Sequence, residues 1–389
     1  MQVQDRWSRE RLESLRHVGD AEADAVIAEV FRSGDLPEVH RLLRSLVDND
    51  DPVPEELPDG IEDYFRDTVE ITAAERISIG IGERFFAVHG PEIMLVLCCA
   101  SLPFDYANRR AVKVLYQTGF LEKRPNRRVA QTAQMIVDVM GPGGLGEDGY
   151  GIRSAQKVRL MHAAIRHLIL ARETPAWNSA VNGVPINQAD LLFTLMSFTQ
   201  VVLDGLRRLQ LEISTQEAES YLCAWRVVGR QMGIQPELIP NNIAEAKLLT
   251  ARFAELEHAP SLEGRAMTEA IAGLIGDVLG TPLDVFRWSL IRFFVGGKVA
   301  RMLGVPSHPV RDRLTHSVTG LALLLDTVVD RPGPLRRWFR TFSMNMMQYF
   351  IERELGPTSR SFRIPSSLQD GWRRQRRHGG TVERVKVRS

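Results

Sequence analysis

The chain has 389 residues, of which 44% are hydrophobic and 25% charged, and its formal net charge is +1. This balance is typical of a soluble globular protein with a sizeable core, and it gives the whole chain no electrostatic basis for binding nucleic acid. Three cysteines are too few for a disulfide framework, so we expect reduced thiols and a cytoplasmic location. We expect no signal peptide and no membrane span, because no uninterrupted apolar run approaches about 18 residues.

The sequence pattern is helical nearly everywhere, with no alternating strands and no fixed-period repeat, so the predicted fold class is all-α. Residues 1–55 form a predicted N-terminal helical extension. The main helical domain is predicted at 56–356, where an acidic, proline-containing linker at 48–60 gives way to longer helices. Proline, serine and arginine are frequent in the segment 357–389, which we expect to be a loosely ordered tail.

The predicted helices follow in chain order. Those of the N-terminal extension lie at 4–17, 20–32 and 36–48. In the main domain, Thr72 is predicted to cap a helix that begins at Ala73, and Gly90-Pro91 is predicted to start a new element. Polar or proline residues at the start and glycine at the end delimit the later helices. We place these at 109–117, 125–140, 152–172, 187–208, 215–232, 241–257, 262–279, 282–303, 309–328 and 332–355.

The C-terminal tail is strongly basic. Residues 359–389 contain nine Arg or Lys and two Asp or Glu, a net charge of +7 that leaves −6 for the rest of the chain. Such tails are usually solvated, and we expect at most a weak contact with anionic surfaces. We expect no specific nucleic-acid partner, and the sequence leaves the oligomeric state open.

One histidine lies between two arginines in the segment RLMHAAIR (159–166). Steps of three and four residues fall on one side of a helix, so Arg159, His162 and Arg166 share a stripe. A neutral imidazole that projects from an apolar helix is a common ligand of haem iron, and flanking guanidinium groups suit the haem propionates. A core histidine between two arginines in buried ion pairs explains the same spacing. Spacing alone leaves both interpretations open.

A second stripe lies on the predicted helix 125–140. Arg128, Thr132, Met135 and Val139 share one face of it. An arginine and a threonine on an otherwise apolar face can position a small oxygen ligand through hydrogen bonds. In the alternative interpretation, the arginine lies at a helix edge and the threonine hydroxyl bonds to its own backbone.

Other chemical motifs are weak or absent from the sequence. Gly144, Gly146 and Gly149 form a GxGxxG pattern, but the preceding segment has helical periodicity where a dinucleotide site needs a strand. The chain has no CxxC, HExxH, CxxCH or GxSxG pattern. Their absence argues against a zinc site, covalently attached haem and an esterase nucleophile.

Three segments together resemble the catalytic domain of the latex-clearing-protein family of rubber oxygenases and of their fungal relatives in mycophenolic acid synthesis. They are RLMHAAIR (159–166) after the glycine loop, GVPINQADLLFT (183–194) and WRVVGRQMGIQPELIP (225–240). The resemblance extends over about residues 75–350, and the first two segments are its most specific part.

This resemblance implies a globin-like helical core with additional peripheral helices around a haem pocket that holds haem b. It implies that His162 is the proximal iron ligand, and that Arg159 and Arg166 bind the cofactor or anchor the helix. It carries the distal arginine and threonine of the family over onto Arg128 and Thr132, the pair that the second stripe also singles out.

Two positions depart from the family. Gln131 replaces the lysine that can close the sixth iron position, so we expect an open iron and treat Gln131 as a candidate cofactor contact. No carboxylate matches the family's proposed base, because the segment VKVLYQTG (112–119) contains no acid.

The resemblance thus implies a haem-dependent oxygenase of a small apolar substrate, an isoprenoid or other alkene, with dioxygen. The alternatives are a non-catalytic haem-binding or gas-sensing protein and a helical interaction protein without haem.

Overall fold

The computed structural model describes residues 6–33, 59–117, 125–146, 149–173, 176–281 and 283–315. Within these ranges the chain is helical, and the one contact of β type is an isolated bridge between Asn108 and His258. The all-α prediction is therefore confirmed for the part of the chain that the structure describes. The predicted helices at 36–48 and 332–355, most of 309–328 and the basic tail lie outside it.

Most of the longer α-helices lie close to the predicted positions, whereas the short helices at Asp59–Arg66, Leu102–Tyr106 and Ser179–Asn182 were not predicted. Numbered in chain order, the described α-helices are α1 (Arg9–Leu15), α2 (Ala21–Ser33), α3 (Asp59–Arg66), α4 (Ala73–Val96), α5 (Leu102–Tyr106), α6 (Val112–Gln117), α7 (Pro125–Met140), α8 (Tyr150–Leu170), α9 (Ser179–Asn182), α10 (Gln188–Phe198), α11 (Gln200–Arg208), α12 (Thr215–Gln231), α13 (Ile243–Glu257), α14 (Leu262–Leu279) and α15 (Arg287–Met302). A π-helical segment, Leu97–Ser101, follows α4, and short 3₁₀ turns, Pro236–Leu238 and Leu283–Phe286, precede α13 and α15.

Helices α4 and α12 pack closely together at the centre of the fold. α4 begins at a capping box, in which the Thr72 hydroxyl accepts a hydrogen bond from the Glu75 amide and the Glu75 carboxylate accepts one from the Thr72 amide. Ser214 and Glu217 cap α12 in the same way. These caps satisfy backbone amides that have no partner within the helix.

The expectation that Gly90-Pro91 starts a new element is wrong. α4 runs through Pro91 to Val96 and continues directly into the π-helical segment. Proline lacks the amide that would bond to the carbonyl four residues earlier, and for that reason it normally interrupts a helix. All residues of 89–101 are buried, so tertiary packing keeps this segment helical against the local cost.

The predicted helix 187–208 is interrupted and forms two helices. α10 and α11 meet at Thr199, whose φ of −111° and ψ of −82° lie outside the helical region. The Phe198 carbonyl next to the break accepts a hydrogen bond from the Tyr221 hydroxyl at 3.0 Å. A side chain of α12 thus supplies a backbone partner at this point, which sequence periodicity does not reveal.

The N-terminal residues 6–33 are packed onto the main domain. Trp7, Leu12 and Leu15 lie in the main hydrophobic core. α2 packs on α8 through a second apolar cluster. Its buried members on these two helices are Ala23, Ile27, Val30, Leu160, Ala163 and Ala164. The predicted domain boundary at residue 55 stays a prediction.

Among the residues that the structure describes, two helical stretches are long and apolar enough to cross a membrane by length and composition, namely Ala73–Tyr106 and Gln188–Arg208. In the fold, 83% and 78% of their most apolar windows are buried inside the protein. Burial on this scale is that of core helices, which pass the same test of length and composition.

Candidate active site

Helices α7 and α8 form a hairpin, and the glycine-rich loop between them fixes their register. The Gly151 amide donates a hydrogen bond to the Gly144 carbonyl at 2.8 Å, which ties the loop to the first turn of α8. A β-carbon at Gly151 would lie 2.6 Å from the Val139 Cα and 2.6 Å from the Gly144 oxygen. Because no side chain fits there, only glycine lets α8 approach α7 this closely. Helix packing therefore explains the loop without a bound dinucleotide.

The register puts His162 at the level of Arg128. His162 is eleven residues after Gly151, and Arg128 is eleven residues before Val139. At about 1.5 Å per residue, both lie roughly 16 Å along their helices from the point of closest approach. Steps of four, three and four residues connect each pair, so His162 shares the α8 face of Gly151 and Arg128 shares the α7 face of Val139.

The predicted proximal and distal residues therefore lie on the two stripes that start from the close approach of Gly151 to Val139. Thr132 lies one turn from Arg128 on the same stripe, and Thr132, Gln131 and His162 are all half-buried. Only the backbone of Arg128 is described. The neighbouring buried residues of α7 are Val129, Ala130, Ala133, Met135, Ile136 and Val137. A few polar groups in an apolar setting are typical of a ligand pocket.

Arg159 forms a buried ion pair with the N-terminal part of the chain. Its Nε and Nη2 donate to the two carboxylate oxygens of Asp20 at 2.6 and 2.8 Å, and Nη2 also donates to Glu22 at 2.7 Å. The side chains of Arg159 and Asp20 are 11% and 5% exposed. A two-point contact of this kind fixes the orientation of the guanidinium plane as well as its position.

Arg166 is anchored in a similar way on the other side of His162. Its Nε donates to Asp24 at 2.7 Å, and its Nη1 donates to the Ile186 carbonyl at 2.8 Å. The resemblance left two roles open for the motif arginines, binding of the cofactor and anchoring of the helix. Because the described contacts of both guanidinium groups are with carboxylates and a backbone carbonyl, they favour the anchoring role.

Residues 16–24, which we call the clasp segment, also bind the start of α10 and the turn after α12. The side-chain amide of Gln188 donates to the carbonyls of Gly19 at 3.1 Å and Gly233 at 2.8 Å. Its side-chain oxygen accepts from the Gln235 amide at 3.0 Å. One glutamine therefore joins three segments that lie far apart in the sequence.

Gly233 provides the space in which the Arg159–Asp20 pair lies. Its φ is +82°, in the left-handed region that favours glycine. A β-carbon there would lie 2.4 Å from an Asp20 carboxylate oxygen and 2.7 Å from Nε of Arg159. The second glycine of the segment GRQMGI (229–234), Gly233, is thus explained by the close approach of this ion pair.

A buried ion network joins the clasp segment to α10 and α13. The Arg16 side chain is 1% exposed, and its guanidinium lies 3.2 Å from Asp190 and 2.6 Å from Glu257. Arg110 lies 2.9 Å from Glu257 and 2.7 Å from Glu13. Glu257 therefore lies between two guanidinium groups, which offset the cost of burying its charge.

The stability of the network is expected to depend on pH through Asp190. Burial raises the pKa of Asp190 to about 6, against the opposing effect of Arg16. The unfolded chain releases this proton near pH 4, so between about pH 4 and pH 6 the folded state binds more protons. The resulting contribution to stability is present below about pH 4 and is lost as the pH rises through about 6. In urea unfolding, the wild type should therefore lose stability relative to Asp190→Asn as the pH rises through this window.

The control for this measurement is Asp204→Asn, which changes a surface carboxylate that is 51% exposed. Its stability relative to the wild type should not change with pH over the same window. Equal slopes for the two variants would contradict the role assigned to Asp190.

The donor set of the site suits haem better than a free metal ion. Among the residues that the structure describes, no three His, Cys, Asp or Glu side chains come together to hold a metal, and a protein-bound zinc ion typically needs three or four such ligands. Haem iron needs only one or two protein ligands, because the porphyrin supplies the others. One half-buried histidine, His162, on an apolar hairpin meets that requirement.

The role of the clasp segment does not show in the sequence pattern. Glu22 and Asp24 lie in the first turn of α2, where acidic residues are commonly explained by the helix dipole. That ordinary explanation conceals their pairing with arginines more than 130 residues away. Gly233, in the segment GRQMGI, was a signal for the ion pair, since a glycine inside a specific motif indicates close approach.

Comparison with known proteins bears on this site directly. Residues 86–327 match the family described as ER-bound oxygenase mpaB/B'/Rubber oxygenase, catalytic domain. The chain is 29% identical over 304 residues to the rubber oxygenase of Streptomyces sp. (strain K30), a match that covers 77% of this chain and 73% of that protein. It resembles a solved structure of latex clearing protein in the closed state with a TM-score of 0.72 and 26% identity, covering 87% of this chain and 91% of the other.

The chain therefore belongs to the mpaB and rubber oxygenase family. Its helical, globin-like fold is shared with latex clearing protein, as the sequence predicted. The protein is an oxygenase, and hence an oxidoreductase. This class excludes a helical protein whose function is interaction alone.

Proposed function

We propose that this chain is a b-haem-dependent oxygenase that acts with dioxygen on a small apolar substrate, an isoprenoid or another alkene. The proposal is supported by the register of the α7–α8 hairpin, because His162 and Arg128 are each eleven residues from the close approach of Gly151 to Val139. His162 is the residue that would hold the iron, through one ring nitrogen. When bound, haem supplies a redox-active iron that reacts with dioxygen.

The residues of α7 act on the oxygen side of the pocket in this proposal. The Thr132 hydroxyl would donate a hydrogen bond to dioxygen, and the cationic Arg128, one turn away, would stabilise negative charge that develops on it. Gln131 presents an amide, whose nitrogen is a donor and has no basic lone pair. We therefore propose that Gln131 would not bind the haem iron.

The apolar lining of the hairpin supports an apolar substrate. Aliphatic walls exclude water and bind by shape, with only a few polar groups to orient the molecule. We propose a small alkene for this chain, in place of polyisoprene, because residues 112–119 contain no carboxylate that matches the family's proposed base.

We also propose a cytoplasmic location, supported by three free thiols, Cys98, Cys99 and Cys223, which fit a reducing compartment.

The proposal predicts a Soret band and substrate-dependent oxygen uptake. The purified chain supplied with haem should absorb at roughly 400–430 nm and should consume oxygen faster when farnesol is added as an isoprenoid probe. Thr132→Val keeps the size of the side chain and removes one hydrogen bond, so kcat/KM should fall about tenfold while the Soret band remains. Absorption spectra and an oxygen electrode measure both quantities.

The control variant is Thr250→Val, whose hydroxyl donates to the Ala246 carbonyl within α13. It should leave the rate of oxygen uptake unchanged. The absence of a Soret band after haem is supplied would overturn the proposal. A Soret band with no oxygen uptake in the presence of farnesol or another alkene would overturn the proposed substrate class.

A further inference from the structure

Carboxylates from the clasp segment hold α8 on both sides of His162. Arg159, one turn before the histidine, is paired with Asp20, and Arg166, one turn after it, is paired with Asp24. We propose that Asp20 and Asp24 are positioning residues that hold His162 in place through these two arginines. This inference rests on the proposed function, because the histidine needs a fixed orientation only as a haem ligand.

The two ion pairs have the geometry that such a role requires; the Arg159–Asp20 pair is buried, whereas in the second pair Arg166 is buried and Asp24 is 37% exposed. The Asp20 contacts use both carboxylate oxygens, at 2.6 and 2.8 Å from Arg159. Arg166 is 2% exposed, and it is also bonded to the Ile186 carbonyl. A planar guanidinium held at two points restricts both the translation of its helix and the rotation of that helix about its axis.

The surface behind the ion pairs is closely packed. Gly233 lies against the Asp20–Arg159 pair so closely that a β-carbon would not fit. On the neighbouring face of α8, Ala164 packs against α2, and the His167 ring stacks on Phe31 with 4.3 Å between ring centroids. The clasp segment and α2 therefore support α8 along the turns that flank His162.

Asp20 and Asp24 lie outside the part of the chain that the family match covers, residues 86–327. The histidine motif lies inside it. The proposed site is therefore incomplete within the matched catalytic domain, and the preceding N-terminal residues of this chain finish it. Groups that orient a metal-ligating histidine from behind commonly change metal affinity by roughly ten- to hundredfold when they are replaced.

The test compares Asp20→Asn, Asp24→Asn and the double variant with the wild type, each as the full chain supplied with haem. Three properties are measured. They are the rate of haem transfer to apomyoglobin, the iron–imidazole stretching band of the reduced protein in resonance Raman spectra, and hydrogen exchange of the amides at 159–166. We expect haem transfer to be about tenfold faster in each single variant and faster still in the double variant. We also expect a shifted Raman band and faster exchange on α8.

Two controls separate positioning from general stability. Asp63→Asn removes a surface ion pair with Arg66, in which both side chains are more than two thirds exposed, and should change none of the three properties. Leu249→Ala creates a cavity at a fully buried position on α13, away from α8. It lowers the melting temperature through core packing, and the Raman band should stay in place.

An unshifted Raman band together with haem transfer no faster than in Leu249→Ala overturns the positioning role of Asp20 and Asp24. If the wild type takes up no haem, the proposed function fails. Exchange at 159–166 then decides on its own whether the two carboxylates hold the helix. Unchanged exchange in the double variant would overturn that part as well.

Discussion

Replacing His162 with alanine is expected to abolish the Soret band of the haem-supplied protein and all substrate-dependent oxygen uptake with it. The methyl group of alanine has no lone pair for iron, whereas the imidazole of His162 would supply the nitrogen that holds the haem. Free imidazole should restore part of the band, because the truncated side chain leaves space for a ring of the same size. Visible absorption of the oxidised and reduced protein measures the effect.

The matched control is His167→Phe, five residues further along α8. Phenylalanine can keep the stacking contact with Phe31, so the spectrum should be that of the wild type. A band of full intensity in His162→Ala, or loss of the band in His167→Phe, would contradict the assignment of the ligand.

Replacing Arg16 with methionine is expected to lower the free energy of unfolding by about 3–5 kcal/mol. The change leaves Asp190 without its guanidinium partner and leaves Glu257 with Arg110 alone. Their side chains are 9% and 4% exposed, so water cannot replace the lost contacts. Urea unfolding at neutral pH, followed by circular dichroism, measures the difference.

Arg252→Met is the surface counterpart of this change. Arg252 pairs with Glu255 on α13, and their side chains are 39% and 64% exposed. Exposed pairs of this kind contribute about 0–1 kcal/mol, so stability should hardly change. Equal losses in the two variants would show that burial of the Arg16 network contributes nothing. Adding Asp190→Asn to Arg16→Met should recover part of the loss, because it removes one of the stranded charges.

Much of the site could be predicted because local signals agree along the hairpin. α7 has the bounds predicted for it, Pro125–Met140, with proline in its first turn and glycine directly after its end. The helical period then assigns Arg128 and Thr132 to one face. The closeness of that face to the stripe of His162 needed the structure, since it depends on how α8 packs at Gly151.

The buried charges could not be predicted from the sequence. Arg16 and Arg166 are 1% and 2% exposed, whereas a charged residue in a helical pattern is ordinarily expected at the surface. Their burial is compensated by partners brought together by tertiary structure. The separation of 241 residues between Arg16 and Glu257 is beyond any local pattern. The same holds for Pro91, where packing overrides a strong local signal.

The contacts of the clasp segment also constrain how this protein matures during translation. Asp20 can pair with Arg159 only after 139 further residues have been synthesised, and Arg16 can pair with Glu257 only after 241 further residues. At about 5–20 residues per second, a ribosome needs roughly 10–50 s to add the 241 residues that separate the last pair. The clasp segment is thus synthesised well before the partners that complete its native contacts. The histidine helix acquires its full support only after residue 257 has left the ribosome.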